Sequence, residues 1–265
     1  MNNEIKLTSP DLNSSIKIVK GELVSYIKNK EELIHQIGDP GWKHSDTEMF
    51  PIIGPTVSND FKVSTPKGIC ILDQHGLLRE LEYLLIKKEA TIATFKKSYT
   101  ANSEVKNSNF PHRSNKTTVS WPYDFSFIKS YELTNSHLKI YFEINAEIGM
   151  PFMFGYHPAF KVSGNCNEFC TNAEQKVTLP QILERGSKAY PFLNSCEINL
   201  IKDKGYNIQI KTEGFNNFML WTEVPNMLCI EPITNYPYKE TKELTPDFFD
   251  LATGKDLFLV VIKPF

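Results

Sequence analysis

The sequence predicts an all-β fold, a sandwich or a barrel. Short segments alternate apolar and polar residues with a period of two, turn formers separate them, and helical spacing is scarce. Alternation places successive side chains on opposite faces, so each such segment has one face to bury and one to wet.

In chain order, the first alternating segment lies around Leu23 to Ile27. KEELIHQI (30–37) is too short for a stable helix and meets Gly38-Asp39-Pro40 at once, so it is read as strand or turn. GICILDQ (68–74), ATIATF (90–95) and FSFIKSYEL (125–133) follow as strands. The cleanest alternation sets Leu138, Ile140, Phe142 and Ile144 against Lys139, Tyr141, Glu143 and Asn145. NIQIKT (207–212) and LFLVVIKPF (257–265) complete the series. Thr134-Asn135-Ser136, Ser163-Gly164-Asn165 and Glu213-Gly214 supply turns between them. The stretch from Thr100 to Thr118 is a polar loop. With no internal repeat, a single domain over residues 1–265 is the simplest organisation.

Composition narrows the partners. The 29 basic and 31 acidic side chains leave a net charge of -2 with no block of like charge, which argues against nucleic acid and membrane surfaces. A small neutral ligand fits better. The five cysteines (Cys70, Cys166, Cys170, Cys196, Cys229) are odd in number and lack the second close pair of a zinc site, so they read as reduced thiols. A polar, alternating N-terminus without the apolar stretch of a signal peptide is expected of a cytoplasmic protein.

Two junctions stand out chemically. In MPFMFGYHPAF an apolar run ends at His157 before Pro158, and in NMLCIEPITNYP another ends at Glu231 before Pro232. Proline biases the preceding residue towards extended backbone, so both side chains belong at strand positions. His157 reads equally as a hydrogen-bonded core histidine. A carboxylate directly after Met-Leu-Cys-Ile must be paired, hydrogen-bonded or functional, because burying it alone costs several kcal/mol or forces it neutral. In ICILDQHGLLRE a strand runs to His75-Gly76 with Arg79 just beyond, which suits either two groups reaching one cleft or a turn histidine beside a solvated arginine. His35 belongs to the KEELIHQI element, His44 and His112 lie in polar surroundings and His137 in the Thr-Asn-Ser-His turn, with surface positions the default for all four. Phosphate-loop, His-Glu-x-x-His and Gly-x-Ser-x-Gly signatures do not occur.

Read together, GDPGW (38–42), FPIIG (50–54), HGLLRE (75–80), WPYDF (121–125), GYHPAF (155–160) and CIEP (229–232) resemble, in that order, the aldose 1-epimerase family of galactose mutarotase-like proteins, in particular its shorter bacterial branch. The resemblance implies a large antiparallel β-sandwich with a sugar in an open cleft, and it places His75, His157 and Glu231 there. It also implies α/β anomer interconversion of a free aldose, with Glu231 as base, His157 as acid, His75 assisting, and Arg79 binding hydroxyls. That chemistry demands no metal and no organic cofactor. A nearby carboxylate is expected to favour imidazolium, and the imidazolium to keep the carboxylate ionised.

The sequence departs from the family pattern where Pro55 follows FPIIG in place of arginine, where Ile233 replaces an aromatic after CIEP, and where Leu77 replaces one in HGLLR. A hexose-phosphate mutarotase and a non-catalytic carbohydrate-binding protein of the same fold therefore stand as alternatives. A glycoside hydrolase would need a second acid that has no clear position.

Overall fold

The computed structural model describes residues 4–237, 244 and 246–265. Its strand ladders are antiparallel throughout, and the largest sheet has nine strands. From one edge these are Lys176–Thr178, Phe169–Thr171, Glu197–Ile201, Ile208–Glu213, Lys255–Pro264, Leu138–Ala146, Phe125–Leu133, Ile92–Tyr99 and Leu84–Lys88. A five-stranded sheet runs Tyr190–Phe192, Asn217–Trp221, Met227–Ile233, Gly155–Lys161 and Asp46–Met49. The two pack face to face through aromatic side chains, with Phe142 of the larger sheet 5.2 Å from Phe154 and 5.1 Å from Tyr156 between ring centroids. This is the β-sandwich the alternation predicts, with FSFIKSYEL forming its strand at the expected bounds.

A third sheet of four strands, Glu4–Thr8, Ser14–Val19, Glu22–Lys28 and Glu31–Glu32, adds Leu7, Ile16, Ile18, Leu23 and Tyr26 to the same core. KEELIHQI is strand and bridge, as read: Glu31–Glu32 pairs with Glu22–Lys28, and Ile34 bridges to Phe160. His35 is a correction, because its ring is buried, with Nε2 3.0 Å from the carbonyl of Trp42. The 100–118 stretch is mostly irregular, with a short ladder between Val105–Lys106 and Thr118–Val119. It is tied to the segment around His75 by Asn107 Nδ2 donating to Asp73 (2.8 Å) and Ser108 Oγ donating to Glu80 (2.7 Å). All five cysteines are free thiols. No helix among the described residues is long and apolar enough to cross a membrane.

The five-stranded sheet differs from its partner in a way that matters for function. Met227–Ile233 is buried at every residue, and so is Gly155–Phe160. A strand with both faces covered reads as a continuous apolar run, which is why MLCI and MPFMFGY look as they do. One face meets the nine-stranded sheet. The other lies under Trp42 and Trp221, which pack on Ala159, Met227 and Cys229.

Candidate active site

Register brings the two proline junctions together. Gly155 pairs with Ile233 and Ala159 with Cys229 across adjacent antiparallel strands, and the same register sets His157 opposite Glu231. Pro158 and Pro232 lie in the gap between those pairs, where neither can donate a ladder hydrogen bond. Thr47 flanks His157 on its other side, and Met219 flanks Glu231. His157 Nε2 stands 3.3 Å from Oε1 of Glu231, with both side chains almost wholly enclosed.

His75 joins them from a turn. Its φ is +67°, and Gly76 follows at +74°. A Cβ on Gly76 would lie 2.2 Å from the carbonyl oxygen of Phe50, so the close approach of this turn to the FPIIG segment requires glycine. Phe50 N–H donates to the His75 carbonyl at 3.1 Å, and Gly54 N–H donates to Nδ1 of the ring at 3.2 Å. An N–H aimed at Nδ1 leaves the proton of the neutral imidazole on Nε2, 3.1 Å from the Gln74 side-chain amide, to which it donates only when that amide turns its oxygen towards the ring. The ring then meets His157 edge to face, 6.1 Å between centroids. FPIIG thus serves the site through backbone, which Pro55 at its end does not disturb.

Arg79 follows in a single 3₁₀ turn, Leu78–Glu80. It is half-buried, makes no ion pair with a described residue, and its Nε is enclosed without a hydrogen-bond partner. Its charge acts on His75, His157 and Glu231. The four residues singled out in the sequence are therefore neighbours, and Arg79 is not the solvated side chain that was its alternative.

The protonation states differ from the sequence expectation. Burial lowers His157 to about 3, helped by the Arg79 guanidinium, and lowers His75 well below the ordinary histidine range. Burial raises Glu231 well above the carboxylate range, against the pull of Arg79. Mutual attraction is expected to keep the pair charged; desolvation acts against it and favours the neutral form of each. In that form the proton between them is favoured on the carboxyl, facing the lone pair of Nε2, and the imidazole keeps its own on Nδ1.

Other polar groups near the site lie outside the sequence reading. Lys129 is fully buried, bonded to Asp46 Oδ1 and, at 2.6 Å, to Glu48 Oε1. Tyr131 and Tyr156 donate to Asp46 Oδ2 at 3.0 and 2.7 Å, and Lys97 Nζ lies 3.8 Å from Glu48. Burial raises Asp46 to about 6 despite Lys129, whereas at Glu48 burial is outweighed by Lys129 and Lys97 and the carboxyl is held low. Alternation carries the signal for both lysines: Lys129 shares a face with Phe125, Phe127, Tyr131 and Leu133, and Lys97 with Ala93, Phe95 and Tyr99. The cluster ties the two sheets together through the strand Asp46–Met49, which pairs with the His157 strand.

An open cleft of about 420 Å³ lies alongside, its wall including Trp42, His44, Thr47, Arg79, Tyr83 and Lys97. His157 and Glu231 are not in that wall. Trp42 links the two: it lines the cleft, and its indole centroid is 4.3 Å from the His157 ring, while Trp221 lies 5.9 Å away.

Comparison with known proteins bears on the fold and the family. A family model described as aldose 1-epimerase matches residues 21–199, a span that includes His75, Arg79 and His157 and stops short of Glu231. No curated protein matches by sequence. Among solved structures, a galactose mutarotase-like protein from Lactobacillus casei superposes with a TM-score of 0.79 at 15% identity, covering 99% of this chain and 100% of its own. A galactose mutarotase related enzyme from Lactobacillus acidophilus gives 0.76 at 16% identity, covering 99% and 97%. A protein from Synechocystis gives 0.73 at 16% identity, covering 100% and 96%. At such identities these structures speak for the fold, and the sequence model spanning most of the chain speaks for descent: the chain belongs to the aldose 1-epimerase family.

Proposed function

We propose that the protein is a cofactor-independent isomerase that interconverts the α and β anomers of a free aldose, using Glu231 and His157 as its acid/base pair. The observation that carries the reading is the cross-strand contact of 3.3 Å between His157 Nε2 and Glu231 Oε1, in a buried cluster with His75 and next to the Arg79 charge. Ring opening removes a proton from the C1 hydroxyl and delivers one to the ring oxygen; rotation about C1–C2 then presents the other carbonyl face, and closure reverses the transfers. A pair that shares one proton has one donor and one acceptor at every moment, which is what this reaction consumes.

Glu231 acts as base and His157 as acid once the shared proton has moved to the imidazole. Sugar hydroxyls and the Arg79 guanidinium, all donors, favour the carboxylate form of Glu231 and so draw the proton across. Arg79 also grips hydroxyls in the role that Pro55 cannot fill. His75, its Nδ1 occupied by Gly54, offers Nε2–H towards the ring oxygen.

The test is NMR of freshly dissolved galactose, glucose and other aldoses, following anomer exchange with wild type, Glu231→Gln and His157→Asn. Faster exchange by wild type, reduced about 10²- to 10⁴-fold in each variant, is the expected result. Sugar binding without faster exchange would turn the reading to a carbohydrate-binding protein, and a marked preference for glucose 6-phosphate would turn it to a phosphosugar substrate.

A further inference from the structure

Trp42 both lines the cleft and packs against the imidazole of the candidate pair. His157 is 6% exposed and Glu231 1%, so no sugar in the cleft touches either while the indole of Trp42 stays in place. The indole lies over the imidazole at 4.3 Å with 36° between the ring planes, and it packs on Ala159, Met227 and Cys229 beside it. The same residue lines the cleft.

The segment that carries it is built differently from its surroundings. From Ile37 to His44 the chain has no regular structure and is largely exposed, with Trp42 as its inward side chain. Its ties are scattered: Asn226 Nδ2 donates to the Pro40 carbonyl at 2.8 Å, His35 meets the Trp42 carbonyl at 3.0 Å, Asp39 N–H donates to the Gln36 carbonyl at 2.9 Å, His44 Nδ1 lies 3.4 Å from Glu22 Oε2, and an exposed pair joins Lys161 to Asp39 at 4.0 Å. Gly41 takes φ +126°, open to glycine and strained for other residues. Few contacts and solvated backbone mark a segment that opens at low cost.

We infer that Trp42 is a positioning residue for the His157–Glu231 pair: it caps the imidazole, keeps water from the pair, and is displaced by the sugar entering from the cleft. The inference rests on the anomer-exchange reading only for the identity of the displacing ligand. With the indole gone, water reaches the imidazole and favours its charged form. The groups that face His157 are Glu231 across the ladder, Arg79 and His75 from the turn, and His44 on the Trp42 segment itself. None of them is replaced in a Trp42 variant, and of the four His44 also touches the indole, at 5.4 Å between ring centroids.

The experiment follows the His157 imidazole C–H by NMR through a pH titration in wild type, Trp42→Phe and Trp42→Ala, the signal being assigned by its loss in His157→Asn. The expected result is a midpoint at least one pH unit higher in Trp42→Ala, with Trp42→Phe close to wild type. Equal midpoints in all three would overturn the inference. A second measurement uses unaltered protein: acrylamide quenching of indole fluorescence should rise when galactose or glucose saturates wild type, and should not rise in Trp42→Phe. Unchanged quenching under a sugar that is turned over also overturns it. Should no aldose be turned over, the functional reading fails by itself, because the titration reads the cap without turnover.

Discussion

Lys129 of the nine-stranded sheet and Glu48 of the five-stranded sheet meet at 2.6 Å with neither side chain open to water. Removing the ammonium alone strands two carboxyls, Glu48 and Asp46, in the interior. Lys129→Met should therefore destabilise the fold by about 3–5 kcal/mol, since breaking one side of a buried ion pair costs more than the pair contributes. Adding Asp46→Asn and Glu48→Gln should recover part of the loss. Urea unfolding midpoints at neutral pH decide it, and an unaltered midpoint for Lys129→Met would contradict the burial of the cluster.

Protonation of the candidate pair ties stability to pH in two opposed ways. His157 is lowered to about 3 in the fold from 6.5, so its contribution is fully present above pH 6.5 and is lost as pH falls towards 3. Glu231 is raised above 4.5, so its contribution is present below pH 4.5 and is lost as pH rises through the elevated value. His157→Asn should accordingly flatten the loss of stability on acidification. Glu231→Gln should gain on wild type steadily as pH rises from 4.5. A tenfold difference in proton affinity between the folded and unfolded chain corresponds to about 1.4 kcal/mol, within reach of urea titrations at several pH values.

Gly76 is a structural pivot for His75. Gly76→Ala places a Cβ 2.2 Å from the Phe50 carbonyl at a φ of +74°, and should cost at least about 2 kcal/mol. Because the same turn aims the imidazole, anomer exchange should fall with thermal stability. A variant that melts early but retains full kcat would mean His75 takes no part in the chemistry.

Arg79 should separate binding from folding. Without an ion pair among the described residues it contributes little to the fold, so Arg79→Met should melt within a few degrees of wild type. Charged donors to hydroxyls contribute about 1.5–3 kcal/mol, so KM should rise roughly 10- to 100-fold. A large drop in melting temperature with unchanged KM would recast the residue as structural.

The fold is legible because its signal is local. FSFIKSYEL and the strand from Leu138 declare one buried face within a few residues, and the two X-Pro junctions mark His157 and Glu231 without any partner being known. That the pair would touch depends on a register between strands more than seventy residues apart, which no local pattern contains. Lys129 can be placed on the inward face from its own strand, but its acidic partners come from 81 and 83 residues away. Trp42 sits in an irregular segment with no periodicity to read. Protonation escapes the sequence for a related reason: attraction between two named groups can be imagined from a sequence, whereas the dehydration that outweighs it is a property of everything packed around them.

The strand Lys255–Pro264 lies in the interior of the nine-stranded sheet, between Ile208–Glu213 and Leu138–Ala146. On the ribosome both of those neighbours emerge earlier and wait with unsatisfied edges for the segment that will seal them. The sheet that backs the candidate site is therefore completed by a pairing of long sequence separation, the kind that slows folding. During that interval the nascent chain exposes two adhesive strand edges, a window in which chaperone binding or self-association competes with folding.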